Sequence, residues 1–118
     1  MVKGRDDLLV ADLAVTEVVS ALSRLLRQGA VTRDVARRVQ HGIVRALDGG
    51  IYRRVELTRE VHRRAEQFLM GLTETPLRAA DALHLALATL GRASSIASFD
   101  VRLAVAARAS GFSTYPAA

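Results

Sequence analysis

The apolar positions of this chain recur with two periods, and together they predict a series of helices joined by short strands. The apolar run Leu8–Ala11 is typical of a strand. Two helices are expected next. Asp12 and Thr32 are residue types that cap helix starts, and Gln28-Gly29 and Gly49-Gly50 supply the turns that end the two helices. The inward positions expected for the second helix are Val35, Val39, Ile43, Val44 and Leu47.

The second half of the chain predicts three more helices, each opened by a residue that suits a helix start. Thr58 caps the third helix, Thr75-Pro76 opens the fourth with proline at its first position, and Asp100 begins the fifth. Strands that alternate with helices indicate a parallel sheet covered by helices, so an α/β fold is expected. The remaining strands are expected at residues 52–57, 94–99 and 112–115.

The length of 118 residues suits one domain, residues 1–118, with an ordered core at residues 8–115. Half of the residues are apolar, which excludes a disordered chain. The absence of cysteine excludes disulfides and thiolate metal sites, and no apolar run approaches the ~18 residues of a membrane span. Because the N-terminus also lacks the apolar region of a signal peptide, we expect a cytoplasmic protein that does not bind membranes.

The net charge of +5 comes almost entirely from arginine, with sixteen Arg residues and one Lys. Arginine suits bidentate contacts with phosphate, so the charge is compatible with a nucleic-acid partner. A compositional bias on a solvated surface would give the same count. Aromatic residues are scarce, which argues against stacking platforms for single-stranded bases.

Glu17 interrupts the apolar stretch of residues 14–19 early in the first predicted helix. An ionised carboxylate in apolar surroundings is costly unless it is paired or binds a metal. The alternative is that the helix dipole favours a carboxylate near an N-terminus. Glu17 is therefore a candidate metal ligand.

Asp81 lies in a predicted helix, residues 77–90, that is apolar almost all round and should be largely buried. Its narrow polar stripe consists of Arg78, Asp81 and His84. Such a stripe faces either water or a functional site. The alternative to a site is a salt bridge between Arg78 and Asp81 on the exposed side. Likewise, His84 is either a residue that positions substrate or water, or an ordinary helix residue.

Asp100 follows the predicted strand of residues 94–99, at the end where parallel sheets place their ligands. An N-cap role explains the same aspartate, and capping and metal binding are compatible because the two carboxylate oxygens can serve different partners. Ser98 is close enough in sequence to hydrogen-bond a metal ligand. Carboxylates clustered without cysteine select Mg²⁺ or Mn²⁺, and such sites support phosphodiester hydrolysis.

Three segments of the chain resemble motifs of PIN-domain ribonucleases. Residues 77–86, around Asp81, resemble the third acidic motif of that family, residues 98–104, around Asp100, resemble the fourth, and residues 15–22, around Glu17, resemble the second. Their order and spacing are similar to those of the VapC-type toxins of bacterial toxin–antitoxin pairs. The resemblance extends from about Leu8 to Tyr115.

The resemblance implies a three-layer α/β/α fold with a mainly parallel sheet and a Mg²⁺- or Mn²⁺-dependent endoribonuclease. Glu17, Asp81 and Asp100 match three of the four acidic residues that surround the metal in that family, and so are the implied catalytic and metal-binding residues. Arg78, His84 and Ser98 are weaker candidates for substrate contacts. The implied partners are an RNA substrate, a small antitoxin protein and a second copy of the chain.

The chain departs from the family pattern at its start. The family opens with a central strand that carries its first aspartate, whereas this sequence starts near the second strand. A fragment, a misplaced gene start or a degenerate relative would each explain this, as would Asp12 acting as the first acid. We expect the absent strand to be replaced by another segment or chain, and cleavage to be weak. The alternative function is a catalytically inactive PIN-like module that retains dimer and antitoxin contacts.

Overall fold

The computed structural model describes residues 8–50, 52–97 and 101–115, and strands and helices alternate within them. Parallel strand pairs in this mixed order confirm the expected α/β class. No helix in these ranges is long and apolar enough to cross a membrane. The elements are β1 (Leu8–Ala11), α1 (Asp12–Arg27), α2 (Arg33–Asp48), β2 (Tyr52–Val55), α3 (Arg59–Gly71), α4 (Ala79–Leu90), β3 (Ser95–Ala97), α5 (Val101–Ala109) and β4 (Ser113–Tyr115).

The described strands form two separate two-stranded sheets, β1 with β2 and β3 with β4. Both pairs are parallel, with Leu8 opposite Tyr52 in the first and Ser95 opposite Ser113 in the second. Parallel neighbours need a crossover connection. The helices α1 and α2 supply it for the first pair, and α5 supplies it for the second.

The chain divides into two compact units, of which the first is Met1–Glu56. In this unit α1 contacts both α2 and β1. Thr32 caps α2 as expected, because its hydroxyl oxygen accepts the backbone N–H of Val35 at 3.2 Å. The expected cap of α1 is wrong: Ala11 is the N-cap and Asp12 is already helical. The carboxylate of Asp12 instead contacts Arg54 on β2.

The inward face predicted for α2 is only partly buried. Leu47 is buried as expected, together with Ala36. Val35, Val39 and Val44 are exposed, so the prediction is wrong for them. An apolar stripe on α2 is wider than the surface that α1 covers, and this leaves its margins in contact with solvent.

The second unit is Leu57–Ala118, and its core forms where α4 packs against α3 and α5. Leu85 on α4 and Val61 on α3 are its largest fully buried side chains. Thr58 caps α3 as expected, since its hydroxyl oxygen accepts the backbone N–H of Val61. The buried core also includes Ala65, Ala82, Ala86, Leu87, Leu103, Ala106 and Ala107.

The fourth helix begins later than Thr75-Pro76, the predicted start. The N–H of Thr75 donates to the carbonyl of Leu72 in a turn, and Arg78 has extended backbone angles as the N-cap of α4. Helical hydrogen bonding starts where the N–H of Ala82 donates to the carbonyl of Arg78. Gly91 ends the helix, as the sequence predicts.

Candidate functional site

Asp81 is a buried carboxylate at the start of α4, with 6% of its surface exposed. Its Oδ2 atom accepts the backbone N–H of Arg78 at 3.0 Å. An acidic residue at this position can reach back to the N-cap N–H, which has no partner within the helix. The positive end of the helix dipole favours the same placement. The local sequence therefore fixes the carboxylate at one end of an apolar helix.

This geometry corrects the alternative interpretation of Asp81. A salt bridge on the exposed side of α4 was the alternative, but the carboxylate is buried and its contact is with the main chain of Arg78 rather than with the guanidinium. One oxygen serves the helix start, and the two oxygens of a carboxylate can serve different partners. Asp81 can thus cap its helix and ligate a hard cation at the same time.

His84 and Arg78 flank Asp81 along the chain, one turn on either side. His84 is half-buried on α4, and Arg78 is exposed at the N-cap position. The spacing of three residues places His84 on the same side of the helix as Asp81. Their contact with substrate stays a prediction.

Glu17 lies on α1 in the first unit and is exposed. The interpretation that it stands in apolar surroundings is therefore wrong. Helical spacing puts it on the side of Ser20 and Arg24, both also exposed, and the adjacent Val18 is exposed as well. Its role as a metal ligand remains a prediction.

Asp100 and Ser98 lie outside the described residues, between β3 and α5. Within residues 8–50, 52–97 and 101–115, the structure places no group of three or more His, Asp or Glu side chains where they could share a metal ion. The described part of the candidate set is thus Asp81 in one unit and Glu17 in the other. The oxygen chemistry of these carboxylates fits Mg²⁺ or Mn²⁺.

Asp12 and Arg54 form an ion pair that the sequence patterns did not predict. Asp12 Oδ1 accepts from Arg54 Nε at 3.1 Å and from Nη2 at 2.8 Å. The hydrogen bond to Asp12, and then the charge of Asp12, raise the pKa of Arg54 above its usual value. Because a guanidinium already balances its charge, Asp12 is a poor candidate for the first metal-binding acid. This ion pair depends on the parallel register of the two strands, in which Val10 of β1 lies opposite Arg54 of β2.

The family model described as PIN domain matches residues 2–109 of the chain. This range includes Glu17, Asp81 and Asp100, the three candidate carboxylates, and both units contribute to it. A search of curated proteins finds no match to the chain.

Proposed function

The chain belongs to the PIN-domain family, whose members are generally nucleases that act on RNA or DNA, and from this we propose that it is a metal-dependent endoribonuclease. The observation that carries the proposal is the buried carboxylate of Asp81 in a helix whose other residues are apolar except His84 and Thr89. A buried charge is retained where it is hydrogen-bonded or binds a cation. Asp81 has the hydrogen bond and the oxygen chemistry to do both.

PIN-domain nucleases usually use divalent metal ions, and Glu17, Asp81 and Asp100 are the residues that would hold Mg²⁺ or Mn²⁺ here. When bound, such an ion supplies Lewis-acid catalysis and an activated water for phosphodiester hydrolysis. The chain's own contribution is orientation. The N–H of Arg78 holds the Asp81 carboxylate in place, and the Arg78 guanidinium, exposed beside it, can contact a substrate phosphate. His84 and Ser98 are further candidates for substrate contacts.

The toxin role is the finer part of the proposal. The motifs around Glu17, Asp81 and Asp100 are similar in order and spacing to those of VapC-type toxins, which supports a cytoplasmic toxin paired with a small antitoxin protein. A second candidate function is an inactive PIN-like module that only binds partners. The exposed Val35, Val39 and Val44 of α2 favour protein contacts of that kind.

Cleavage of a labelled RNA by the purified chain, with Mn²⁺ or Mg²⁺ and with EDTA, tests the enzymatic proposal. We expect weak, metal-dependent cleavage that Asp81→Asn reduces by roughly 100-fold or more, because a bound metal supplies several kcal/mol of transition-state stabilisation. The asparagine still accepts the N–H of Arg78, so the variant keeps the helix start. Glu60→Gln, an exposed change in the first turn of α3, is the matched control. If Asp81→Asn leaves cleavage unchanged, the proposed role of Asp81 is wrong. If the wild type does not cleave RNA at all, the inactive binding module is favoured.

A further inference from the structure

The middle of α2 carries a concentrated positive charge that the proposed metal site does not use. Arg37, Arg38, His41 and Arg45 are all exposed, and we call these four residues the α2 basic surface. Asp34 lies one turn before Arg38, and Asp48 lies one turn after Arg45, on the same side of the helix. With four arginines against these two aspartates, α2 still carries a formal charge of +2.

Three of these residues share one side of α2 and line a recess. Arg38, His41 and Arg45 are spaced i, i+3 and i+7, so they lie above one another along the helix. Together with Val44 they line a cavity of about 370 Å³. Arg38 and Arg45 are separated by about 10 Å along the helix axis at 1.5 Å per residue. That separation lets the two guanidinium groups contact different phosphates of one strand.

We propose that the α2 basic surface binds the phosphate backbone of RNA and holds the strand during cleavage. The proposal deepens the nuclease function proposed above and rests on it for the choice of ligand. Arginine matches the geometry of phosphate. The helix has no Phe, Tyr or Trp, the large rings on which bases usually stack, so we expect most contacts to be to the backbone and independent of base sequence.

An acidic protein segment is the competing ligand for such a surface. Of the exposed valines that would attract a protein, Val35 lies one turn before Arg38, and Val44 borders the recess. The recess itself contains one apolar residue, Val44, against three basic side chains among its described lining. Its chemistry thus favours a polyanion with little apolar surface, which describes a phosphate backbone.

Fluorescence anisotropy tests the proposal. It measures the binding of two short labelled RNAs of unrelated sequence, in EDTA and at several salt concentrations. Without divalent ions the RNA is not cleaved, so binding is read independently of the nuclease reaction. We expect the double variant Arg38→Gln with Arg45→Gln to lower the affinity for both RNAs by roughly tenfold or more at low salt. The slope of log K against log salt should fall by about 1.4, because each single-strand phosphate contact contributes about 0.7. Glutamine has nearly the helix propensity of arginine, so α2 should stay folded.

Two further double variants distinguish binding at the α2 basic surface from a general effect of the protein's net charge. Arg59→Gln with Arg92→Gln removes the same charge from two other exposed positions, and the salt slope should stay at the wild-type value. Arg38→Lys with Arg45→Lys should restore most of the slope while losing part of the affinity, since lysine lacks the bidentate fork.

The proposal is overturned if both glutamine pairs reduce RNA binding equally, or if the wild type binds neither RNA. Tighter binding of polyglutamate than of RNA would also overturn it and assign the surface to an acidic protein. If the chain binds RNA through this surface but does not cleave it, the binding proposal is supported and the nuclease proposal is wrong.

Discussion

Asp12 and Arg54 connect the first turn of α1 to the neighbouring strand β2, with a distance of 2.8 Å between Asp12 Oδ1 and Arg54 Nη2. Both side chains are partly exposed, and exposed ion pairs are weak and screened by salt. We expect Arg54→Gln to lower Tm slightly at low salt, and the difference from wild type to vanish at high salt. Thermal melts of Arg54→Gln beside Arg59→Gln, an exposed arginine at the start of α3, measure this. A loss that salt does not reduce would show that packing, not charge, is responsible.

The raised pKa of Arg54 also fixes how this effect depends on pH. A pKa raised in the folded state means that folding favours the protonated guanidinium. The resulting stability is fully present below the pKa of the unfolded chain and is lost only as pH rises through the folded pKa. That window lies in the strongly alkaline range, because the pKa of an arginine side chain is far above neutral pH. The cost of Arg54→Gln should therefore be constant between about pH 6 and pH 9, and urea unfolding at several pH values checks this. A cost that shrinks as pH rises across that interval would contradict the assignment.

Asp81 should contribute to folding through its hydrogen bond to the N–H of Arg78, apart from any metal. Asp81→Ala removes the acceptor and the carboxylate, and we expect it to lower the free energy of unfolding by about 1–2 kcal/mol. Asp81→Asn keeps an acceptor and should cost less. Urea unfolding of the two variants in EDTA measures the difference. Equal costs would mean that the hydrogen bond to Arg78 contributes nothing.

Divalent ions should stabilise the wild type if Asp81 is a ligand. A ligand that binds only the folded state adds about 2.7 kcal/mol at a concentration one hundred times its Kd. We expect Mn²⁺ to raise Tm in the wild type and in Glu60→Gln, but not in Asp81→Asn. Calorimetric melts across a Mn²⁺ titration test this without relying on catalysis. The same rise in all three proteins would place the ion elsewhere.

The exposed valines of α2 lead us to propose self-association of the chain. Exposed apolar side chains are a common feature of protein interfaces. We expect light scattering to give the mass of a homo-oligomer, and Val35→Ser with Val39→Ser to shift it toward monomer. Val105→Ser, at an exposed valine of α5, is the control. A wild-type chain that is monomeric at all concentrations would contradict this prediction.

The sequence by itself determined the features of this chain that depend on a few consecutive residues. Thr32 and Thr58 cap the helices for which they were predicted, and Gly91 ends α4. These outcomes follow from hydrogen bonds within one turn, which no distant residue needs to complete. The motifs around Glu17, Asp81 and Asp100 likewise indicated the PIN family, because residue types and their spacing are read directly from the sequence, and the family model confirms this prediction.

Only the tertiary structure decided which side of each element is covered. Helical periodicity shows that Val35 and Val39 share a side of α2, but not that α1 leaves that side exposed. The same ambiguity explains why apolar surroundings were wrongly predicted for Glu17. Most of its neighbours in sequence are apolar, but its own side of α1 faces solvent. The pairing of Asp12 with Arg54 depends on the register of β1 against β2, which brings together residues 42 positions apart. Burial and pairing of this kind depend on the arrangement of whole elements, and a local pattern contains no information about what will pack against it.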